Sequence, residues 1–461
     1  MKKIYLILSV FIATGCGNSQ NDSSEEGSSQ KDVRLITLDP GHFHSALVQK
    51  SMYPDVDSTV HVYAPEGDDL KEHMSLIEQY NTRSDNPTHW NEQIYTGADY
   101  FEKMLSEKAG NVVVLAGNNQ KKTDYIEKSI SAGFNVLADK PMVIDKNSFE
   151  VLKKAFETAA DKKLVLYDIM TERYEITTML QREFSLISEV YGTQEKGTAE
   201  NPAVTKESVH HFYKYVSGNA LTRPAWFFDV NQEGEGIVDV TTHLVDLVQW
   251  ECFPEQVLDY KKDVEMVSAR RWTTDITLNQ FSAITKQNKF PDYLNKDIVE
   301  DSILKVFANG EINYKLKGIH AKVSVKWAYQ APEGTGDTHY SIMRGSKSNL
   351  IIRQGAEQQY KPALYIEPVN GKNQDFKNVL TAKLKDIQSK YPGVELKEED
   401  NGWEVIIPEK YKEGHEAHFA RVTEKFLEYL KKGNMPEWEV PNMIAKYFTT
   451  TAALELAKKG K

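Results

Sequence analysis

Apolar and polar positions follow two regimes along this chain. Between residues 33 and 166, short apolar, β-branched runs recur at 33–38 (VRLITL), 60–63 (VHVY), 111–116 (NVVVLA) and 135–138 (NVLA), each bounded by turn residues. Runs of this length and content read as buried strands. Helical patterns lie between them, one entered through 39–47 and one running to Gly133. Strand, helix, strand at this spacing predicts a doubly wound parallel sheet with right-handed crossovers. Past residue 167 the runs at 264–269, 302–308 and 320–327 alternate only in part, which predicts a large, mostly antiparallel sheet with one covered face. The fold class is therefore α/β over 33–166, joined to an α+β domain over 167–365. Two additions, 194–211 and 367–412, stand outside this plan, the second with a helical stretch at 380–391 and an apolar run at 403–407. Helical patterns near 415–432 and 441–458, in an extension spanning 366–461, are expected to pack back on the body.

The N-terminus obeys neither regime. Met1, Lys2 and Lys3 precede an apolar stretch at 4–13 that is too short to span a bilayer, and Ala13-Thr14-Gly15-Cys16 follows. This is the shape of a secretory signal peptide, and its ending resembles a lipobox. Residues 1–16 are thus expected to be a lipoprotein signal with Cys16 as the lipidated residue. Residues 17–32, polar and without periodicity, form a flexible tether. The protein is expected to be exported and held at the periplasmic or cell-surface side, meeting a membrane only through that lipid. With Cys16 so used, Cys252 is a lone thiol expected in packing. A net charge of −11, from 56 basic and 67 acidic residues, argues against a nucleic-acid partner.

Ligands of doubly wound sheets sit beyond the carboxyl ends of the strands. The first such turn, Asp39-Pro40-Gly41-His42-Phe43-His44, keeps one clean glycine of a Rossmann-like phosphate loop. Phe43 occupies a glycine position, and Ala46 can replace the last. Gly41, His42, Phe43 and His44 are nevertheless the candidate cofactor residues of this turn. His42 and His44 suit phosphate contact or turn capping equally well. Glu66 (or Asp68) follows the second strand, Gly117, Asn118 and Asn119 the next clear one, and Asp139, Lys140 and Pro141 the strand after that.

Asp139-Lys140-Pro141 resembles the Glu-Lys-Pro motif of the glucose–fructose oxidoreductase / inositol dehydrogenase (Gfo/Idh/MocA) family. The stretch from Gly234 to Asp246, GEGIVDVTTHLVD, resembles that family's glycine-rich turn and its D-x-x-x-H-x-x-D pattern. Arg173-Tyr174 and Trp226 stand where the family often has an Arg-aromatic pair and a Trp. The resemblance covers most of 33–365 and implies a nicotinamide-dependent oxidoreductase acting on a secondary hydroxyl of a sugar or glycoside, at C3 to give a 3-keto-glycoside. It also implies a homo-oligomer. NAD is favoured over NADP because no arginine cluster follows Tyr63, and it must be tightly bound, since free NAD is scarce outside the cytoplasm.

The residue types suit these roles. Asp239 and His243, four apart, would share a helix face, so that Asp239 tunes the imidazole. His243 is the candidate proton acceptor, and Lys140 the group that binds the hydroxyl and steadies alkoxide charge. Arg173, Tyr174, Trp226 and His243 are the candidate substrate contacts. The motif departs from the family in having Asp139 for Glu and Lys122 near a usual His. Two alternatives stay open: an NAD-dependent glycoside hydrolase working by transient oxidation and elimination, and a non-catalytic carbohydrate-binding lipoprotein. His210 and His211 read as an exposed loop pair. His415 and His418 read as a helix surface pair rather than metal ligands, and no metal is expected.

Overall fold

Six strands, β1 (Leu35–Leu38), β2 (Thr59–Tyr63), β3 (Asn91–Tyr95), β4 (Val112–Leu115), β5 (Asn135–Asp139) and β6 (Leu166–Ile169), pair in the order β3-β2-β1-β4-β5-β6, every pair parallel. The computed structural model describes residues 32–216, 219–300 and 302–460; the signal sequence, Cys16 and all but the last residue of the tether lie outside the described residues. Strands β1 and β4 are buried along their whole length, as apolar runs covered on both faces must be. The edge strand β3 escapes the sequence pattern because NEQIY is largely exposed and polar, a usual way of blunting an edge. The crossovers carry α1 (His44–Leu47), α2 (Asp68–Thr82), α3 (Tyr100–Glu107), α4 (Asn119–Ala132) and α5 (Lys146–Lys162). Chain order reverses between β1 and β4, which places the ligand-binding switch point at their carboxyl ends.

The second sheet comprises β7 (Val204–Tyr213), β10 (Val264–Thr277), β11 (Ile298–Val299), β12 (Ile303–Leu316), β13 (Ile319–Gln330), β14 (Thr338–Arg344), β15 (Ser348–Gln354), β16 (Ala363–Pro368), β17 (Glu395–Glu398) and β18 (Trp403–Ile406). Its order is β10-β12-β13-β7-β14-β15-β16-β18-β17, with β11 on β12, and only β7 and β13 run parallel. A small hairpin, β8 (Tyr215–Val216) with β9 (Asn219–Ala220), follows β7. The remaining helices are α6 (Ile176–Ser185), α7 (Thr241–Cys252), α8 (Tyr260–Asp263), α9 (Leu278–Thr285), α10 (Gln374–Lys390), α11 (His415–Lys432) and α12 (Glu439–Lys458).

Two expectations are corrected here. The stretch 194–211 is not an appended loop, since most of it leads into or forms β7 in the middle of the sheet. Its charged residues hid the strand. Lys206 is fully buried, and its Nζ donates to Glu251 (2.7 Å) and Ser341 (2.9 Å). His211 is correspondingly buried, its Nδ1 2.8 Å from Asp337 Oδ1, and His210 lies beside Ser208. The stretch 367–412 extends the same sheet through β17 and β18, with Phe376 of α10 stacked on Trp403. Cys252 is partly buried against this second core.

The last two helices lock the halves together. Phe419, Val422 and Phe426 of α11, and Met443 and Tyr447 of α12, enter the core of the parallel sheet, while Ala445, Ala453 and Leu454 of α12 enter the other core. Each of the large apolar side chains among these (Phe, Val, Met, Leu) contributes about 1.5–3 kcal/mol. A buried ionic network runs across the junction: Arg173 pairs with Asp246 (2.6 Å) and Glu439 (3.2 Å), and Lys446 with Asp246 (2.8 Å) and Asp168 (2.7 Å).

Candidate active site

The carboxyl ends of β1, β4 and β5 face the turn that precedes α7, and charged side chains gather where they meet. The turn is glycine-rich for a steric reason. Gly236 lies so close to β12 that a Cβ there would stand 1.8 Å from the Ala308 carbonyl oxygen. From the other side the β4 turn clamps it: Asn118 Nδ2 donates to Gln232 Oε1 (2.7 Å) and Asn119 Nδ2 to the Glu233 carbonyl (2.7 Å). These two asparagines, expected to touch cofactor, are instead spent on joining the halves.

Asp239 ends that turn. Its carboxylate accepts from Lys140 Nζ, not from His243, which corrects the shared-face expectation. Helix α7 begins only at Thr241, so residue 239 precedes it, and the i, i+4 argument does not apply. Among the described residues, His243 Nδ1 is buried without a hydrogen-bond partner. Burial, reinforced by the Lys140 charge, holds this imidazole well below its ordinary pKa, so it is neutral near pH 7. Burial works against the Lys140 ammonium, but Asp239, Asp139 and Glu233 outweigh it and keep the group charged.

Lys122, set down in the sequence as a departure from the family pattern, sits inside the site. Its Nζ donates to Asn119 Oδ1 and, at 3.0 Å, to the Asp139 carbonyl. Burial pulls its pKa down to about 8 against the pull of Asp139 and Glu233. Three further residues were not singled out from the sequence. Glu233 is driven well above the carboxylate range by burial and Asp239. Glu172, in electrostatic reach of Lys140, is pushed up to about 7 by burial and Glu175. Arg223 packs over Phe227 and Trp327, and burial pulls it down to about 10. Position beside recognised motifs was the available signal for Glu233 and Glu172; none marked Arg223.

Several other candidates are placed elsewhere. All three guanidinium nitrogens of Arg173 are taken by Asp246 and Glu439, because α12 closes over it. Tyr174 borders a separate surface cavity with Arg182, Trp250 and Trp438. Trp226 gives its indole N–H to Asp69 Oδ2 at 2.9 Å. Glu66 is exposed beyond β2, 3.4 Å from Thr96. Gly117 packs against the first turn, where a Cβ would meet the Asp39 carbonyl oxygen at 2.4 Å. Pro141 follows Lys140 through a cis peptide bond. His418 is buried rather than superficial, and His415 is exposed with its ring 5.5 Å from that of His44.

A dinucleotide at this switch point lays its diphosphate on the first turn. Here Gly41 N and His42 N both donate to the Ala116 carbonyl at 3.2 Å. A Cβ on Gly41 would come within 3.0 Å of Asp69 Oδ2 and 3.1 Å of the Trp226 ring. The diphosphate half therefore fits only with the Asp69–Trp226 pair moved aside. For the nicotinamide half, Lys140 and Asp139 at the end of β5 and His243, within electrostatic reach of Lys140, are the residues that would border the ring.

Residues 58–168 match the family described as "Oxidoreductase family, NAD-binding Rossmann fold", a match that starts beyond β1 and its turn. Residues 180–458 match the "Putative oxidoreductase C terminal domain" family. The chain is 58% identical to a "putative oxidoreductase" from Parabacteroides merdae, covering 94% of this chain and 98% of that one with a TM-score of 0.92. At 11% identity it shares its fold with levoglucosan dehydrogenase in complex with NADH and levoglucosan (93% and 98% covered, TM-score 0.59). At 16% it shares it with GenD2 from gentamicin A biosynthesis in complex with NAD (93% and 95%, 0.54). No curated protein matches the chain.

Proposed function

Because the chain belongs to the Gfo/Idh/MocA oxidoreductase family, with an NAD-binding Rossmann fold in its N-terminal part, we propose that it oxidises a secondary hydroxyl of a sugar or glycoside. The observation that carries this reading is the neutral His243 imidazole, its Nδ1 unpartnered among the described residues, within electrostatic reach of Lys140, which is paired with Asp239. Lys140 binds the substrate hydroxyl and stabilises the charge that grows on its oxygen. The neutral His243 imidazole takes the proton. Asp239 keeps the ammonium aimed into the site. Asp139 and Lys140 are the residues that would hold a nicotinamide, which would supply the hydride acceptor.

Oxidation at C3, tight retention of NAD rather than NADP, assembly into a homo-oligomer and export to the periplasm or cell surface on a lipidated Cys16 belong to the same proposal. The signal-like N-terminus supports the last of these. The test is to add glycosides to the purified protein and follow nicotinamide absorbance, with Lys140→Ala and His243→Ala in parallel. Reduction of the cofactor by wild type but by neither variant supports the reading. Turnover by Lys140→Ala overturns the roles.

A second reading, glycoside cleavage by transient oxidation and elimination, is favoured by one observation. Glu172, within electrostatic reach of Lys140 and pushed up to about 7 by burial, is the carboxyl that would supply a proton to a departing alcohol. Cleaved glycoside without net NADH identifies this route.

A further inference from the structure

We propose that His42, His44 and Asp139 form a binding site for a divalent transition-metal ion of the zinc type. One ligand atom from each lies within 4.8 Å of the other two. His44 Nδ1 is 2.9 Å and His42 Nδ1 3.8 Å from Asp139 Oδ2. A tetrahedral ion with bonds of about 2.0–2.2 Å keeps its donors roughly 3.4 Å apart, between those two separations. Two imidazoles and one carboxylate suit zinc and its neighbours, whereas magnesium and calcium prefer oxygen throughout.

The arrangement is built rather than incidental. Strand β4 lies between β1, which leads to the histidines, and β5, which ends in Asp139. The first turn leans across the end of β4, pinned by the Gly41 and His42 N–H bonds to Ala116, and the bare Cα of Gly117 makes room for it. Asp139 Oδ1 accepts from its neighbour's backbone, Lys140 N, at 3.0 Å, which turns Oδ2 toward the histidines. Such outer contacts orient ligating carboxylates. Exposed His415, its ring 5.5 Å from that of His44, is near enough to supply a fourth ligand after a side-chain rotation; otherwise that position stays open. Asp139 adjoins Lys140 in the chain. Resting on the proposed oxidation, an ion here would offer that open position to a substrate oxygen.

Untagged full-length protein, stripped with a chelator, is titrated with Zn²⁺ and Mg²⁺ by calorimetry and with Co²⁺ by visible absorption. Expected are one Zn²⁺ per chain, a tetrahedral Co²⁺ spectrum and no comparable Mg²⁺ binding. His42→Ala and Asp139→Asn should each weaken Zn²⁺ by more than about tenfold, while the exposed His89→Ala leaves it unchanged. His44→Gln, which can keep a hydrogen bond to Asp139, should weaken Zn²⁺ at an unchanged melting temperature, separating ligand loss from misfolding. Failure of wild type to bind Zn²⁺, or binding by His42→Ala and Asp139→Asn as tight as wild type, overturns the site and leaves His44–Asp139 a hydrogen bond only. These readouts need no turnover: a chain that binds zinc but oxidises no glycoside refutes the enzymatic reading and leaves the metal site standing.

Discussion

Lys140 and Asp239, 99 residues apart in sequence, form the ion pair that joins the parallel-sheet half of the site to the half supplied by the second domain. Asp239 is thereby taken from His243, and that leaves the imidazole nitrogen bare. Replacing Asp239 with Asn should strand a nearly buried ammonium. Losing one partner of such a pair costs about 3–5 kcal/mol, and Asp139 nearby places the loss at the lower end. Urea unfolding of wild type and Asp239→Asn checks this; equal stabilities would mean that the pair does not form.

His243→Ala removes the proton acceptor and should lower kcat/KM by about 10²–10⁴-fold. The pH profile is the sharper readout. The imidazole must be unprotonated to act, and its pKa lies well below 6.5, so the acid limb should fall below the ordinary histidine range. An acid limb at or above pH 6.5 in wild type contradicts the assignment.

Stability should also carry the mark of these histidines. His42, His44 and His243 are all held neutral by burial in the folded state. Their folded pKa values lie below the unfolded value, so below about pH 6.5 the unfolded chain binds more protons and folding weakens. The stabilisation is full above that pH and lost as pH falls, with a slope of up to about 1.4 kcal/mol per pH unit for each histidine. Glu172 and Glu233, whose carboxyls burial raises, pull the total the other way. The readout is therefore the difference between wild type and His243→Asn in unfolding free energy, which should shift against wild type from pH 7 to pH 5. A difference that does not change with pH would show that this imidazole is already solvated.

The doubly wound sheet was legible because its central strands are unbroken apolar runs, and Lys140 stood out because Asp139-Lys140-Pro141, directly after one of them, resembles the family's Glu-Lys-Pro motif. What misled was charge. Strand β7 looks like a loop because Lys206 and its neighbours are polar, yet Glu251, Ser341 and Gln181 satisfy that lysine inside the sheet. Arg173 looked like a substrate contact because nothing in its local sequence shows that α12, more than 260 residues away, closes over it with Glu439. Long-range ionic pairing leaves no local pattern to read. The same holds for Trp226, whose partner Asp69 lies 157 residues upstream.

That last pair yields a direct test of how the cofactor enters. Trp226 and Asp69 cover Gly41, where the diphosphate of a dinucleotide would lie, and their hydrogen bond holds the cover in place. Asp69 is also half-buried, and burial raises its pKa despite the indole bond, so the cover is costly to keep charged. Trp226→Phe deletes the N–H but keeps an aromatic ring. A hydrogen bond to a charged group contributes about 1.5–3 kcal/mol, so opening should become easier and NADH should bind roughly tenfold or more tightly. Fluorescence titration with NADH measures it. If affinity instead falls while the KM for glycoside rises, Trp226 contacts the ligands and does not cover the turn. Unchanged affinity would mean that the dinucleotide bypasses Gly41 and reaches the Lys140 end by another path.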